Sequence, residues 1–494
     1  MKRSKQQLIE KLCDEQTFLV AYLLNLFLSS VTFFDRVGPV LTALMMAWAA
    51  VIFYKNYAGT GRFYQIKYKA FLVLFLISGF VTALMHIGDN FLANMVMLMH
   101  AGICFFVFYG MHTNPDKEKA KRGLFQFFRA LIIITSVLGV AGLLIILLFV
   151  QIKIGGYEIG VSVSRYTGLY TNPNLAGFSS VIALIGWHIF FYRKKEQDLL
   201  GKGLSKRFQV FSVVSNSVVL LLSDSNDSLL LLLVYAGVMA LFSIYRARRR
   251  QKKKHQLLRS VMLLTLCAAL CFSVFAARDL LQEGTSDLIT AIQQSENTDR
   301  VSVSEEETKK SPVITIGRGE YEVSSGRLKL LEKAVIVYSH HPFMGIGKGN
   351  IVDYGERYLI KGFAYDDLHN GYLTILLSCG LVGLMLFLPF LMMAGVRILK
   401  CVREHIKKKN SELPGLAALL FAYAVFSLFE KALLFDITFM VIIFWAVLGL
   451  AMTYVTELEP SEADEKEKES LLPVPGSYWL PGYSFSALQF EKRK

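Results

Sequence analysis

Charge is what the long apolar stretches of this sequence lack. Twelve such stretches lie near 16–34, 37–54, 70–87, 91–110, 130–150, 175–192, 208–222, 229–245, 260–276, 371–396, 413–429 and 433–455, and they hold almost no Asp, Glu, Lys or Arg near their middles. Transporters and pumps usually carry ionisable groups at the bilayer midplane, where a substrate or ion crosses. These clean interiors argue against that class. Cysteine is scarce as well: of six in 494 residues, Cys104, Cys267, Cys271 and Cys379 fall inside apolar runs, and Cys13 and Cys401 lie beside basic segments. None remains for an exported loop, so no disulfide holds an outer face together. Cys267 and Cys271 share a helical face, but no His or further Cys joins them. They read as apolar filler and not as a metal pair. Repeats of fixed period are absent, and so is the internal symmetry of a two-halved transporter.

What the chain has in abundance is apolar residues and basic ones. Its composition is 54% apolar, with a mean hydropathy of +0.44. A helix needs about 20 apolar residues to cross a bilayer, and the twelve runs meet or approach that length. The expected fold class is all-α: a polytopic integral membrane protein of about 12 transmembrane helices. The first run has a basic flank but no small-x-small cleavage site, so it reads as a retained helix.

The net charge of +14 could suggest a nucleic-acid partner. The distribution of the basic residues says otherwise. Six short segments (1–15, 55–69, 111–129, 193–207, 246–259 and 397–410) hold 33 Lys and Arg, whereas the short loops of the opposite side (35–36, 86–90, 151–174, 223–228 and 430–436) hold four. This is the positive-inside asymmetry of a cell-membrane protein with both termini in the cytoplasm. No basic face interleaves with exposed aromatics, so no nucleic-acid partner is expected.

Four regions follow from this topology: a nine-helix membrane part at 1–276, an extracytoplasmic loop at 277–369, three further helices at 370–455, and a cytoplasmic tail at 456–494. Within the loop, QEGTSDLITAIQQSENTDRVSVSEEETKKSP is polar and poor in aromatics, as expected of a surface or lid. SSGRLKLLEKAVIVYSHH follows, opening on capping serines and repeating Leu328, Leu331, Val335 and Tyr338 at helical spacing. An amphipathic helix lying on the outer leaflet fits that pattern. PFMGIGKGN then reads as a turn.

The polar inventory gathers at the outer helix ends. Arg165, Asn172 and Asn174 precede the sixth run; Asp224 and Asn226 follow the seventh. Arg318, Arg327, His340, His341, Lys348, Asp366, Asp367, His369 and Asn370 lie between the ninth and tenth. Such a chain would act on something presented at the membrane–water boundary, which favours an interfacial enzyme. Each residue also has a plain structural reading. Arg165 would serve as a headgroup anchor, Asn172-Pro173-Asn174 spells a helix start, and His369 sits where interfacial histidines commonly do. His340-His341 reads as loop structure, His100 and His188 as packed between helices, and Glu430-Lys431 as a hairpin charge pair.

Three ordered motifs carry a resemblance. RYTGLYTNPN (Arg165 to Asn174), the stretch from Ser325 to Gly347 that opens SGR and closes HPFMGIG, and HNGYL (His369 to Leu373) with its following Gly-containing helix resemble the O-antigen ligase and Wzy-type polysaccharide polymerase family, over roughly 120–455. That family often shows a Ser-Arg pair after the helix corresponding to 208–222; here the stretch reads SDSNDS, with Asn226 near the arginine position. If a second membrane-edge arginine belongs there, Arg318 or Arg327 takes over its charge or the donor is held differently.

The resemblance implies a metal-independent glycosyltransferase that uses no cofactor. A saccharide on undecaprenyl pyrophosphate would pass to an acceptor hydroxyl, with flippase and chain-length regulator proteins as possible partners beside the membrane lipids. Guanidinium groups suit the departing pyrophosphate, and a histidine suits the acceptor proton. His369, Arg165 and Arg327 are the expected catalytic residues. Asn172, Asn174, Arg318, Asn370, Asp366, Asp367 and Lys348 are the expected substrate-binding set, with Asp366 or Asp367 available to orient His369. Polymerisation of an exported, capsular or O-antigen-type repeat unit is the leading reading. Ligation of finished glycan to a terminal acceptor is the close alternative. A transporter or flippase for the lipid-linked unit, or a non-catalytic assembly partner, are the readings from other classes.

Overall fold

The computed structural model describes residues 11–149, 151–154, 156–162, 164–191, 204–248, 272–291, 327–363, 368–405 and 412–457. In hydrocarbon every backbone N–H and C=O must be satisfied within the chain, and uninterrupted apolar runs therefore coil. Eleven of the twelve runs overlie helices; the run at 260–276, with Cys267 and Cys271, lies mostly outside the described residues. The helices are α1 (Glu15–Leu28), α2 (Gly38–Phe53), α3 (Lys69–Met85), α4 (Phe91–Ile103), α5 (Lys117–Phe149), α6 (Pro173–Gly186), α7 (Lys206–Leu222), α8 (Asn226–Arg248), α9 (272–291), α10 (Arg327–His340), α11 (Ile351–Tyr358), α12 (Gly371–His405), α13 (Leu413–Phe426) and α14 (Phe439–Thr456).

Among the described residues, seven helices are long and apolar enough to cross a membrane: Gly38–Ala58, Phe91–Thr113, Lys117–Leu148, Pro173–Phe191, Asn226–Arg246, Gly371–His405 and Phe439–Thr456. Three shorter apolar helices, α1, α3 and α13, pack among them. The chain is a polytopic, mostly helical membrane protein. Helix α14 is apolar all round and buried along nearly its whole length, so it forms the centre of the bundle. Trp445 fills that centre and donates from Nε1 to the carbonyl of Leu433 at 2.7 Å. Large apolar side chains such as Leu44, Leu92, Val210 and Met392 point outward on other helices, as a lipid-facing belt requires. Both intramembrane histidines contact a tyrosine on a neighbouring helix: His100 with Tyr22, His188 with Tyr235.

One loop departs from the all-α expectation. Residues 152–168 form a three-stranded antiparallel sheet, β1 (Ile152–Ile154), β2 (Tyr157–Ser162) and β3 (Arg165–Gly168). Ile152 pairs with Ile159, and Ser162 with Arg165. The β-branched residues of these short runs favour a pleated strand. Tyr166 pins the sheet to α5 by donating to the carbonyl of Gly139 at 3.1 Å.

Two further differences bear on the site. The polar segment expected as a lid begins as helix: α9 continues to 291, because Leu281 and Ile289 pack inward and Gln282 donates to the Leu221 carbonyl at 3.1 Å. The rest of that segment and the stretch after it, together 292–326, lie outside the described residues, with Arg318 and the capping serines Ser324 and Ser325.

PFMGIGKGN is more than a turn. It runs beside a break in α12, where Gly380 takes φ 64° and ψ −167°. Ile346 and Gly347 donate to the carbonyls of Leu377 and Ser378 at 2.9 and 3.0 Å, and Leu381 and Val382 donate to those of Pro342 and Phe343 at 2.8 and 3.1 Å. The freed helical groups therefore find partners in the inserted segment. The first half of α12, headed by His369 and Asn370, is held as a separate short helix.

Candidate functional site

A cavity of about 230 Å³ opens where several helix ends meet, and it is lined by Asn172, Asn174, Asp227, His369, Glu430 and Lys431 among others. Helices α6, α8 and α12 all present their N-termini to it, and Ser225, Ser228, Asp436 and Thr438 add hydroxyls and a carboxylate. Unpaired N–H groups and the positive end of the helix dipole favour an anion at such a junction. Phe178, Phe426 and Met440 supply the apolar wall.

Arg165 heads β3 and reaches across to the junction. Its Nε donates to the carbonyl of Ser223 at 2.8 Å, and its Nη2 to the Asp224 carbonyl at 3.1 Å and to Oδ1 of Asn174 at 2.6 Å. Asp224 adopts a left-handed φ of 49°, which a short Asp tolerates. Arg165 thus fastens the turn before α8 to the start of α6. Asn172 caps α6 by accepting from the N–H of Asn174 at 2.7 Å, with Pro173 at the first helical position. Asn172 and Asn174 line the cavity; Arg165 stands behind them.

Arg327, the first residue of α10, reaches over the N-terminus of α8. Its Nη1 donates to Oδ1 of Asp227 at 2.8 Å and its Nη2 to Oδ2, a two-point carboxylate contact. The same Nη2 lies 3.9 Å from Oε1 of Glu430. The other oxygen of that carboxylate, Oε2, is 3.5 Å from Nδ1 of His369. His369 holds a left-handed φ of 45°, unusual for a residue with a Cβ and of the kind that concentrates at functional sites. The structure therefore brings His369 and Arg327 to one carboxylate, although they are far apart in sequence.

Other expected residues are placed differently. Asn370 caps α12 by accepting from the N–H of Leu373 at 2.9 Å, and it donates to the Leu428 carbonyl at 3.0 Å. Lys348 is buried in the turn beside α4 and does not line the cavity. Asp366, Asp367 and Arg318 lie outside the described residues.

Sequence reasoning missed four charged groups. Asp227 and Glu430 were hidden because their partners are distant in sequence. Lys431 lines the cavity 3.7 Å from Asp436, and is not simply half of a pair with Glu430. At Asn226, a guanidinium arrives from elsewhere: Arg278 on α9 donates from Nη1 to its Oδ1 at 2.9 Å and lies 3.4 Å from Asp224. The only sequence signal for Arg278 was a lone cation just beyond an apolar run.

A second polar cluster joins the α3–α4 turn to α10 and α11. Tyr354 bonds Nδ1 of His86 at 2.7 Å and donates to Asp89 at 3.0 Å; Arg357 grips the other oxygen of Asp89 at 2.7 Å. The ring of His341 stands edge-on to both His86 and Tyr354, 5.3 Å from each. Burial and the neighbouring His86, His340 and Arg357 charges lower the pKa of His341. Hydrogen bonds from Arg357 and Tyr354 hold the Asp89 carboxyl below its usual range. Among the described residues, no group of three or more His, Cys, Asp or Glu side chains is placed to hold a metal ion.

The cavity lies among helix ends of a helical membrane bundle and is lined by His369, Lys431, carboxylates and amides, with Arg165 and Arg327 bonded to lining residues. Residues 211–388 match the family model described as O-antigen ligase. That match lies within the region of the three motifs and is a similarity to the O-antigen ligase and Wzy family over this part of the chain. No curated protein matches the chain.

Proposed function

We propose that this protein transfers a glycan from a lipid-diphosphate carrier, undecaprenyl pyrophosphate, to an acceptor hydroxyl at the outer face of the cytoplasmic membrane. The observation that carries the reading is His369 in a cavity at three helix N-termini, joined through the Glu430 carboxylate to Arg327. The acceptor oxygen attacks the anomeric carbon of the donor sugar and passes its proton to His369. The bond from that carbon to the diphosphate oxygen breaks with its electron pair, and the lipid diphosphate leaves. Arg327 and the helix N-termini meet the charge that develops on it. The asparagine and serine groups of the wall offer hydrogen bonds to sugar hydroxyls.

Joining of repeat units into an exported polysaccharide is the leading reading. Both termini would then lie in the cytoplasm, as the basic segments favour. Ligation of finished glycan to a terminal acceptor is the second reading, and the description of the matched family model favours it. Deleting the gene separates the two. A polymerase predicts loss of long glycan while single lipid-linked units persist. A ligase predicts that long lipid-linked glycan accumulates without reaching its acceptor. Unchanged glycan in the deletion strain defeats both.

A further inference from the structure

We infer that Glu430 is the positioning residue for His369, fixing its ring and tautomer so that Nε2 accepts the acceptor proton. The inference rests on the transfer reading above and names a group that the sequence pattern left as a hairpin charge.

Three observations carry it. First, Glu430 is 7% exposed, and a carboxylate that far from water needs partners. Second, its two oxygens face different groups. Oε1 lies 3.9 Å from Nη2 of Arg327, and Oε2 lies 3.5 Å from Nδ1 of His369. A simple countercharge for Arg327 is already present, since Asp227 engages both its terminal nitrogens. Lys431, the adjacent cation, turns to Asp436.

Third, the backbone clamps the two segments together. Gly371 donates to the carbonyls of Ser427 and Glu430 at 2.8 and 3.1 Å, and Asn370 adds its bond to Leu428. The imidazole and carboxylate therefore belong to one fastened unit, in which the left-handed backbone at His369 sets the ring's direction. A carboxylate accepting from Nδ1–H leaves the lone pair on Nε2, and it stabilises the imidazolium that forms when the proton arrives. Its contact with Arg327 ties the proton acceptor to the group that meets the leaving diphosphate, so both ends of the reaction share one reference point.

The test uses the full-length chain in nanodiscs with ¹⁵N-labelled histidine, the His369 signal being assigned with His369→Ala. At alkaline pH, where a free imidazole is neutral, the expected wild-type signal is the Nδ1–H tautomer. Glu430→Ala should release it to the Nε2–H form preferred in free imidazole. Glu430→Gln keeps an acceptor oxygen and should retain the Nδ1–H tautomer.

In membranes supplied with the cell's own lipid-linked saccharide, Glu430→Ala should lower kcat on the order of 10- to 100-fold with KM little changed. Glu430→Gln should fall between the alanine variant and wild type. An Nε2–H tautomer in the wild-type protein overturns the inference, even where the alanine variant fails to fold. So does a Glu430→Ala enzyme with the wild-type tautomer and rate. An active His369→Ala enzyme defeats the transfer reading itself, whereas an inactive one beside normal Glu430 variants defeats only this inference.

Discussion

Arg327 and Asp227, one hundred residues apart, meet in a two-point contact with Nη1 2.8 Å from Oδ1. The pair docks α10 on the start of α8 and leaves the guanidinium beside the cavity. A charge swap distinguishes docking from chemistry. Arg327→Asp alone should lower the Tm and abolish transfer. Arg327→Asp combined with Asp227→Arg should recover most of the Tm, because the pair is remade, yet leave transfer at least about tenfold down, because the cation has moved. Full recovery of transfer would reduce Arg327 to a docking residue.

Arg165 makes three charge-assisted hydrogen bonds, two of them to main-chain carbonyls. Lysine cannot reproduce that fork. Arg165→Lys should therefore destabilise the protein by about 1.5–3 kcal/mol, in the range for hydrogen bonds involving a charged group. A thermal melt in detergent should show the loss alongside reduced transfer. If transfer falls while the Tm holds, Arg165 touches the substrate directly.

Gly345 and Gly380 make the break in α12 possible. A Cβ on Gly380 would lie 2.1 Å from the Phe343 carbonyl oxygen, and one on Gly345 would lie 2.5 Å from the Gly380 nitrogen; both residues have positive φ. Gly380→Ala or Gly345→Ala should cost roughly 1–3 kcal/mol or more by overpacking, seen as a lower Tm, and should loosen the short helix that His369 heads. Gly395→Ala in the same helix meets nothing within 4 Å and should be neutral.

The cluster around His341 predicts a pH response. Burial and the nearby positive groups lower its folded pKa beneath 6.5. The unfolded chain therefore takes up a proton at higher pH than the folded one, and stability is lost as pH falls below 6.5. Asp89, itself held low, stays ionised through that window. The Tm of the wild-type protein should drop between neutral and mildly acidic pH, and His341→Gln should reduce the drop. An identical pH dependence in the variant would remove His341 as its source.

Helix positions were largely legible because hydropathy and helical period are local properties. The runs opening at 37 and 371 begin as helix within a residue, and the amphipathic pattern from Leu328 to Tyr338 became α10. The sheet at 152–168 and the continuation of α9 to 291 were missed, since both depend on packing against other helices. At the site, His369, Arg327, Asn172 and Asn174 were legible as polar groups at helix ends. Glu430, Asp227 and Arg278 were not, because a carboxylate or cation beside an apolar run looks the same whether it faces water or another element.

By itself the sequence determined the class of molecule. Apolar runs too long and too clean for water, and basic residues crowded into alternate loops, specify a polytopic helical bundle whatever its packing. Its motifs placed polar groups at the helix ends. Only the tertiary structure decided which of them meet. Five residues numbered 174, 227, 327, 369 and 430 converge because a broken α12, the fastened turn at 427–430 and the docked α10 bring their helix ends to one point. Contacts between chain segments so far apart are set by helix packing and backbone hydrogen bonds, and no local pattern of residues encodes them.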